Sequence, residues 1–369
     1  MWAIAIKEFR ELRRDRRTLA MLFLLPLLFL VVFGYAASFD VKEVPTIVVG
    51  KGAPLVAASL PPQLDLVRSD AAGDESTARD ALRRGEAVVA IVAPAQPGQA
   101  SRVFVDGTEI FAAQTALRSI AEGQAGAPGG AGAAPPPASP GSAPQVTVLF
   151  NPELRTAVIM IPGLCGVILV FVGTIATALG VVRERQAGTM EQLAVMPFRP
   201  RDVFLGKIAP YLLIAVADMV IIVAAGLLVF DVPFRGSALT FALGAVLFLF
   251  VTLGIGVLIS SVSQTQGQAI QLAILTLLPQ ILLSGLFFPL YAMPWAVRWI
   301  SYVLPLTYFI KIARGVMVRG APLSALWLPM LVLAVMGAVV FTLSTLRFRR
   351  DLAPAGGEAD GAPEAEAAT

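Results

Sequence analysis

Six long apolar segments limit what this chain can fold into. Crossing a hydrocarbon layer about 30 Å thick takes about 20 apolar residues in a helix, and six stretches of the sequence reach that length with almost no charge. They span residues 19–37, 157–182, 210–230, 238–260, 269–289 and 326–346. The pattern predicts an all-α polytopic membrane protein with about six transmembrane helices.

The composition agrees with a membrane protein and excludes several kinds of site. The chain is 57% hydrophobic and 14% charged, against about 25% charged residues in soluble domains. It contains no histidine, which excludes histidine-based proton relays, catalytic triads and histidine-ligated metal sites. Its one cysteine, Cys165, lies in an apolar segment, so no intrachain disulfide is possible.

Basic residues lie at the ends of the apolar segments, where they set the orientation of the chain. With the amino terminus inside, the predicted inner segments hold fourteen Lys or Arg residues and the short outer loops hold five. The positive-inside rule then places both termini in the cytoplasm. The net charge of +3 comes without an extended basic patch, which argues against nucleic acid as a partner.

Both ends of the chain carry segments outside the predicted spans. Residues 1–18 are expected to form a cytoplasmic helix in the membrane interface, and the polar residues 347–369 a disordered cytoplasmic tail. A cleaved secretory signal is the alternative for residues 19–37. That run is longer than the about 7 to 15 residues of a signal's apolar region, so the first transmembrane helix is the favoured interpretation.

Residues 38–155 separate the first two apolar segments and predict a small α/β extracytoplasmic domain. The predicted strands are residues 45–50, 87–94, 102–107 and 145–150, and the predicted helices are 75–86 and 109–123. The tract 123–144 is rich in Gly, Ala and Pro and is predicted to be a flexible linker. Such a domain could hold substrate, contact a partner or brace a dimer.

A charged loop, RERQAGTMEQLAVMPFRP, follows the second apolar segment. Gly188 is expected to end the preceding helix, and Thr189 can cap a new helix in which Gln192 completes a capping box. Glu191 lies near the positive end of that helix dipole, and Pro197 stops the helix. This short amphipathic helix is either an anchor on lipid headgroups or a docking element for a soluble partner.

Three polar residues in the predicted spans or directly next to them are candidates for an aqueous pathway. Asp218 is the one charged residue in any span, and a carboxylate at mid-bilayer costs about 3 kcal/mol, so a buried partner or a water-filled cavity is expected. Gln268 and Gln271 follow one face near the start of the fifth span. The alternatives are a carboxyl group hydrogen-bonded within the bundle and glutamines that satisfy a helix end.

Residues 291–320 are too charged, and too broken by Pro305, to span a membrane. Trp295, Trp299 and Tyr302 fall at helical spacing within this segment. Aromatic residues at such spacing are typical of anchoring at the membrane interface.

Four stretches together resemble the permeases of type-2 ABC exporters, the bacterial inner-membrane subunits that pair with a separate ATPase. They are KEFRELRRDRRTL, NPELRTAVIMIPG, RERQAGTMEQLAVMPFRPRDVFLGKIAPY and LSGLFFPLYAMPWAVRWISYVLPLTYFIKIARGVMVRG. They occur in the order typical of that family and are distributed along the chain on both sides of the variable outer domain. The chain is most similar to multidrug-efflux-like members with a large external domain.

The resemblance implies roles for two segments. Residues 183–207 would form the loop that couples the chain to its ATPase. The implied coupling residues are Glu184, Arg185, Gly188, Thr189, Glu191, Gln192, Leu193 and Pro197. Residues 291–320 would form an external re-entrant segment of two short helices that meet near Pro305 and Tyr308, with basic residues such as Arg314 facing the outer surface.

The sequence offers no phosphate-binding loop of its own. That motif requires a glycine five residues before the glycine of a Gly-Lys pair, and Gly50 and Gly206 have Pro45 and Arg201 at that position. The resemblance therefore implies a permease subunit that is not an enzyme by itself. It holds no cofactor, and its separate ATPase partner binds ATP and Mg²⁺.

The resemblance also implies partners and a substrate class. The expected partners are the ABC ATPase, a second permease copy or paralogue and, as in some members, a periplasmic adaptor protein. The expected cargo is a small hydrophobic or drug-like solute, with export of a lipid, glycan or natural product as the alternative. Two rival functions are a transporter driven by an ion gradient, for which Asp218 would be the key residue, and a membrane sensor with an external ligand domain.

Overall fold

The computed structural model describes residues 41, 43–96, 99–125, 144–186 and 200–351. The predicted interfacial helix at 1–18, the first span at 19–37, nearly all of the linker 123–144 and the tail from residue 352 lie outside these ranges. So does the centre of the charged loop, residues 187–199.

The first part of the described chain is an α/β domain built on one five-stranded sheet. The strands are β1 Val44–Val49, β2 Leu64–Asp70, β3 Val89–Val92, β4 Arg102–Asp106 and β5 Gln145–Leu149. Their order is β2-β1-β3-β4-β5; β1 runs parallel to β2 and β3, β4 is antiparallel to β3, and β5 is parallel to β4. The helices are α1 Ala53–Ala58, α2 Glu75–Arg84 and α3 Ile110–Ala125.

The central strands are covered on both faces, which explains their continuous apolar sequence. In β1, Val48 packs in one apolar cluster and Ile47 in another, on opposite sides of the sheet. The helix α2 begins at a capping box in which the Asp74 carboxylate accepts a hydrogen bond from Thr77 N at 3.0 Å. It ends at Gly85, whose φ of 71° is left-handed.

Every strand and helix predicted for this domain is present, and two elements were missed. The first is β2, an edge strand whose side chains are mostly exposed and whose sequence, LDLVRSD, has neither an apolar run nor a sustained alternation. The second is the short helix α1. Both lack the hydrophobic periodicity on which the predictions depended.

Five described helices are long and apolar enough to cross a membrane, which makes the chain a helical membrane protein with a small α/β domain. They are α4 Thr156–Gln186, α5 Pro200–Val229, α6 Ala238–Val262, α7 Gln266–Leu283 and α10 Leu323–Asp351. They correspond to the second to sixth predicted spans. The predicted end of the fifth span at residue 289 is wrong, because the helix stops at Leu283 and Gly285 follows with a left-handed φ of 86°.

The two central helices of the bundle are α4 and α6. In α6, 61% of the most apolar stretch is buried within the described chain, against 17% in α5. Gly244 of α6 lies directly against Ile312, where a Cβ atom would clash. The outer faces of α5 and α10 are apolar and exposed, as expected for surfaces that lipid covers.

The segment between α7 and α10 does not span. It contains a 3₁₀ turn at Leu290–Ala292, two short helices, α8 Trp295–Ser301 and α9 Pro305–Arg314, and a π-helical turn at Gly315–Arg319. The two short helices agree with the expectation for residues 291–320. In α9, Phe309 stacks on Phe248 of α6 with ring centroids 4.3 Å apart, so this segment is packed into the bundle.

Candidate functional site

A buried arginine joins the α/β domain to three parts of the helical bundle. Arg314 lies at the end of α9 and is 4% exposed. Its guanidinium donates hydrogen bonds to the carbonyl oxygens of Ile159 at 3.4 Å, Gly285 at 3.2 Å and Leu286 at 2.8 Å. Its Nη1 also lies 3.9 Å from Oε1 of Glu109, at the start of α3.

The early end of α7 explains why an arginine is needed here. The left-handed residue Gly285 breaks the helix, so the carbonyl groups of Gly285 and Leu286 lie beyond its last turn and need donors from elsewhere. The planar guanidinium of Arg314 supplies several donors at fixed angles. The expectation that Arg314 faces the outer surface is therefore wrong: the α/β domain and the bundle enclose the side chain.

A second ion pair lies beside the first. Nη1 of Arg319 is 3.5 Å from Oδ2 of Asp106 at the end of β4, and the two side chains are 12% and 1% exposed. The other carboxylate oxygen, Oδ1, accepts a hydrogen bond from Thr108 N at 2.8 Å. The Arg319 guanidinium also lies against the backbone of Gly85, in the space that a Cβ atom would occupy.

Burial shifts the acid–base equilibria of both carboxyl groups in these pairs. Burial raises the pKa of Asp106 above its ordinary value, and the neighbouring guanidinium of Arg319 only partly opposes this. The pKa of Glu109 is raised for the same reason, with Arg314 opposing the shift. Each carboxyl group is therefore easier to protonate than an exposed one.

A buried asparagine connects the same region to the first described spanning helix. The side-chain amide of Asn151 donates to the carbonyl oxygens of Gly107 and Arg155, at 3.2 and 3.1 Å. Its carbonyl oxygen accepts from Arg155 N at 3.0 Å. The turn after β4 is thus fastened to the chain that enters α4.

A cavity of about 370 Å³ lies between the α/β domain and the ends of the helices, and we call it the junction cavity. Its wall includes Ser284, Tyr291, Arg298, Lys311, Arg319 and Leu328. Polar and charged side chains come from the α/β domain, from α8 and α9 and from the segments flanking these two helices, while the start of α10 supplies apolar ones. A cavity of this composition can accommodate a molecule with one charged end and one apolar end.

The structure assigns different surroundings to the two glutamine candidates. Oε1 of Gln268 accepts a hydrogen bond from Gln264 N at 3.0 Å, so this side chain satisfies the turn that precedes α7. The half-buried Gln271 has its Oε1 buried without a hydrogen-bond partner among the described residues. Within the described residues, Gln271 is thus the candidate of the two whose carbonyl oxygen is without a hydrogen-bond partner.

Asp218 lies half-buried on α5, the spanning helix with the smallest buried fraction among those described. On the same helix the Tyr211 hydroxyl lies against Gly180 of α4, where no side chain could fit. A pathway role for Asp218 remains a prediction.

The predicted coupling residues lie at or beyond the end of α4. Glu184 and Arg185 belong to its last turns. The remaining six, Gly188, Thr189, Glu191, Gln192, Leu193 and Pro197, lie outside the described residues. Next to them, Nε2 of Gln266 at the start of α7 donates to Oε1 of Gln186 at 3.0 Å, which fastens the end of α4 to a neighbouring helix.

The two residues expected near the meeting point of the short helices both belong to the start of α9. Pro305 is the first residue of α9 and suits that position because it has no N–H to leave unbonded. The Tyr308 hydroxyl donates to the carbonyl oxygen of Tyr302 at the end of α8, at 2.7 Å. This hydrogen bond connects the end of α8 to α9.

Sequence reasoning missed the two acidic residues that pair with Arg314 and Arg319. Asp106 and Glu109 flank the turn between β4 and α3 in the sequence VDGTEI. Two acidic residues around a turn are ordinarily exposed, and nothing in the local pattern predicts that arginines more than 200 positions later will cover them. The sequence feature that could have indicated acidic partners is the group of three basic residues in a non-spanning segment, Lys311, Arg314 and Arg319.

Comparison with known proteins gives a consistent assignment. A family model described as "ABC-2 family transporter protein" matches residues 16–346. The probable multidrug ABC transporter permease YbhS of Escherichia coli K12 is 28% identical over 376 residues, which cover 95% of this chain and 97% of YbhS. The inner membrane transport permease YhhJ of the same strain is 34% identical over 217 residues, 56% of each chain.

A more distant relative comes from a eukaryote. ABC transporter G family member 20 of Dictyostelium discoideum is 27% identical over 188 residues, 50% of this chain and 26% of that protein. The family model covers most of the sequence, and the six apolar segments and three of the four motifs that suggested a type-2 ABC permease lie within its limits. The chain therefore belongs to the ABC-2 family of transporter proteins and is a membrane-embedded permease.

Proposed function

We propose that this chain is the membrane-spanning permease subunit of an ATP-driven exporter. Its cargo is a small hydrophobic or drug-like solute that leaves the cytoplasm or the inner membrane. The observation that carries the proposal is the similarity over 95% of the chain to a protein named as a probable multidrug ABC transporter permease. Export of a lipid, glycan or natural product on the same scaffold is the alternative.

The loop at residues 183–207 docks the ATPase that binds ATP and Mg²⁺. Support comes from the two helices that lead to it, because α4 continues past its apolar segment to Gln186 and α5 begins at Pro200, well before its apolar segment. The hydrogen bond from Gln266 to Gln186 braces this end of α4. A braced helix can transmit a displacement of the loop into the bundle.

The transport cycle follows from this arrangement. Closure of the ATPase around ATP displaces the loop and shifts the helices from an inward-accessible to an outward-releasing arrangement. A second copy or a paralogue completes the pathway, and Asp218, Gln268 and Gln271 are the proposed residues along it. Gln271 is the best supported of the three, because its carbonyl oxygen has no partner within the described part of the chain.

The orientation in the bacterial inner membrane follows from the distribution of basic residues. Both termini are cytoplasmic, and the α/β domain and segment 291–320 lie on the outer side. The α/β domain could there contact a periplasmic adaptor protein. A carrier driven by an ion gradient is the weaker alternative, and the half-buried carboxyl group of Asp218 is the observation in its favour.

Co-purification and vesicle transport test the proposal together. The tagged permease would be isolated with its candidate ATPase, and Glu191→Arg would be compared with Glu153→Arg, the same charge reversal at an exposed position next to the α/β domain. We expect Glu191→Arg to lose the ATPase and ATP-dependent transport while Glu153→Arg keeps both. Binding of no ATPase by the wild type, with transport that follows an imposed ion gradient, would overturn the proposal.

A further inference from the structure

The junction cavity contains hydrogen-bonding groups that the protein does not satisfy. Three buried side-chain atoms of residues in its wall, Ser284 Oγ, Tyr291 Oη and Arg319 Nε, have no hydrogen-bond partner among the described residues. Ser284 is 2% exposed, so its hydroxyl can meet only what enters the cavity. All three atoms can donate a hydrogen bond, and buried donors without an acceptor are unfavourable.

The charges around the cavity leave an excess of positive groups. The cationic residues of the wall are Arg84, Arg298, Lys311, Arg314 and Arg319, and the carboxylates are Glu86, Asp106 and Glu109. Each carboxylate already lies within 4.0 Å of an arginine. Arg298 and Lys311 have no such partner within the described residues. Arg298 bonds to the Tyr302 hydroxyl at 3.0 Å, and Lys311 Nζ lies 6.0 Å from the centre of the Tyr308 ring.

Unsatisfied donors and uncompensated cations together favour an anion with several acceptor oxygens. A phosphate group presents more acceptor oxygens than a carboxylate and forms strong hydrogen bonds with arginine and lysine.

The opposite wall is apolar and reaches the lipid-facing surface. Leu290, Ile310 and Leu326 line the cavity, and Leu328 and Pro329 of α10 continue this wall. Leu328 is 53% exposed on a helix that spans the membrane. A hydrocarbon chain can therefore extend from the cavity along α10 into the surrounding lipid.

We propose that the junction cavity binds the phosphate group of an anionic amphiphile, whose hydrocarbon part lies along the start of α10. The phosphate receives hydrogen bonds from Ser284, Tyr291 and Arg319, and charge compensation from Arg298 and Lys311. This site is separate from the ATPase loop, so its occupancy can be measured without ATP or transport.

Lipid binding to the purified full-length chain tests the proposal. Delipidated protein in neutral detergent would be titrated with phosphatidylglycerol, with phosphatidylcholine and with inorganic phosphate, and bound ligand would be counted by native mass spectrometry. The cavity variant is Arg298→Gln/Lys311→Gln. The matched control is Lys51→Gln/Arg118→Gln, which removes two exposed positive charges from the α/β domain, outside the cavity wall.

We expect saturable binding of phosphatidylglycerol that is roughly tenfold weaker in the cavity variant and unchanged in the control. Tyr291→Phe keeps the ring in place and should also weaken binding, which guards against a folding defect in the double variant. An equal loss of phosphatidylglycerol binding in the cavity and control variants would indicate diffuse electrostatic attraction and would overturn the proposal of a specific site. Inorganic phosphate that displaces the lipid at equal concentration, or phosphatidylcholine that binds equally well, would overturn the assignment to an anionic amphiphile.

Discussion

Nη1 of Arg319 lies 3.5 Å from Oδ2 of Asp106, a residue 213 positions earlier in the chain. The contact joins the end of β4 to the π-helical turn after α9, and both side chains are largely buried. With the neighbouring pair of Arg314 and Glu109, it forms a polar junction between the α/β domain and the spanning helices. Any movement of one part relative to the other must alter these two ion pairs.

The junction predicts an unusual dependence of stability on pH. Because burial raises the pKa values of Asp106 and Glu109, the folded chain binds protons that the unfolded chain releases. Their contribution to stability is fully present below the ordinary pKa values, 3.8 and 4.5, and is lost as the pH rises through the raised values. The melting temperature of the wild type in detergent should therefore fall over this range.

Neutral variants test whether these two groups are responsible. Asp106→Asn/Glu109→Gln should flatten the pH dependence of the melting temperature, whereas Asp80→Asn/Glu122→Gln, at exposed positions, should leave it as in the wild type. Parallel melting curves for the wild type and the junction variant would assign the pH dependence to other residues.

Arg314 is predicted to be the most sensitive single position at the junction. Arg314→Met would leave three carbonyl groups without this donor and the Glu109 carboxylate without its ion-pair partner, and we expect a loss of about 3 to 5 kcal/mol in unfolding free energy. Arg314→Lys keeps the charge but not the planar set of donors, so about 1 to 3 kcal/mol should be lost. Denaturant titration of the purified protein measures both.

The exposed arginine of α3 provides the control for Arg314. Arg118→Met and Arg118→Lys should each change the unfolding free energy by no more than about 0.5 kcal/mol. If Arg314→Lys changed the unfolding free energy as little as Arg118→Lys, the three carbonyl contacts would contribute little to stability. The positive charge alone, which lysine keeps, would then account for the contribution of Arg314.

The sequence predicted those parts of the fold that depend on local pattern. Five apolar segments became spanning helices, and the buried strand β3 was visible as the run AVVAIVAP. The exposed strand β2 was missed because its residues LDLVRSD bury almost nothing, and its place in the sheet comes from pairing with β1. An edge strand of this kind is specified by its neighbour more than by its own residues.

The contents of the junction were not predictable in the same way. A basic residue in a segment near the membrane surface is ordinarily exposed, and Arg314 was expected to be so. Its burial depends on the left-handed turn at Gly285 and on an acidic residue, Glu109, in another domain. Contacts between residues so distant in sequence leave no periodic signal in a single chain.

Gly85 is predicted to be intolerant of a side chain for two separable reasons. Its φ of 71° disfavours other residues by about 1 to 2 kcal/mol, and a Cβ atom would also displace the Arg319 guanidinium. Gly320→Ala is the control, because Gly320 has a similar φ of 64° but its nearest neighbour, Cβ of Arg235, is 3.3 Å from the added atom. Gly85→Ala should lower the melting temperature more than Gly320→Ala.

A double-mutant cycle isolates the second reason. If the clash with Arg319 matters, Gly85→Ala should be less harmful in an Arg319→Ala background than in the wild type. Additive effects of the two substitutions on unfolding free energy would contradict the contact between Gly85 and the guanidinium.

Gln271 and Gln268 allow a pathway role to be distinguished from a structural one. The carbonyl oxygen of Gln271 has no partner within the described residues, so Gln271→Leu should leave the melting temperature unchanged or slightly higher. Gln268 accepts a hydrogen bond from Gln264 N, so Gln268→Leu should lose about 1 kcal/mol of stability.

If Gln271 contacts the solute, Gln271→Leu should lower the initial rate of ATP-dependent transport in vesicles while the amount of folded protein stays constant. Wild-type transport by Gln271→Leu would remove this residue from the pathway, and an equal loss of stability in both variants would show that the two glutamines have the same structural role.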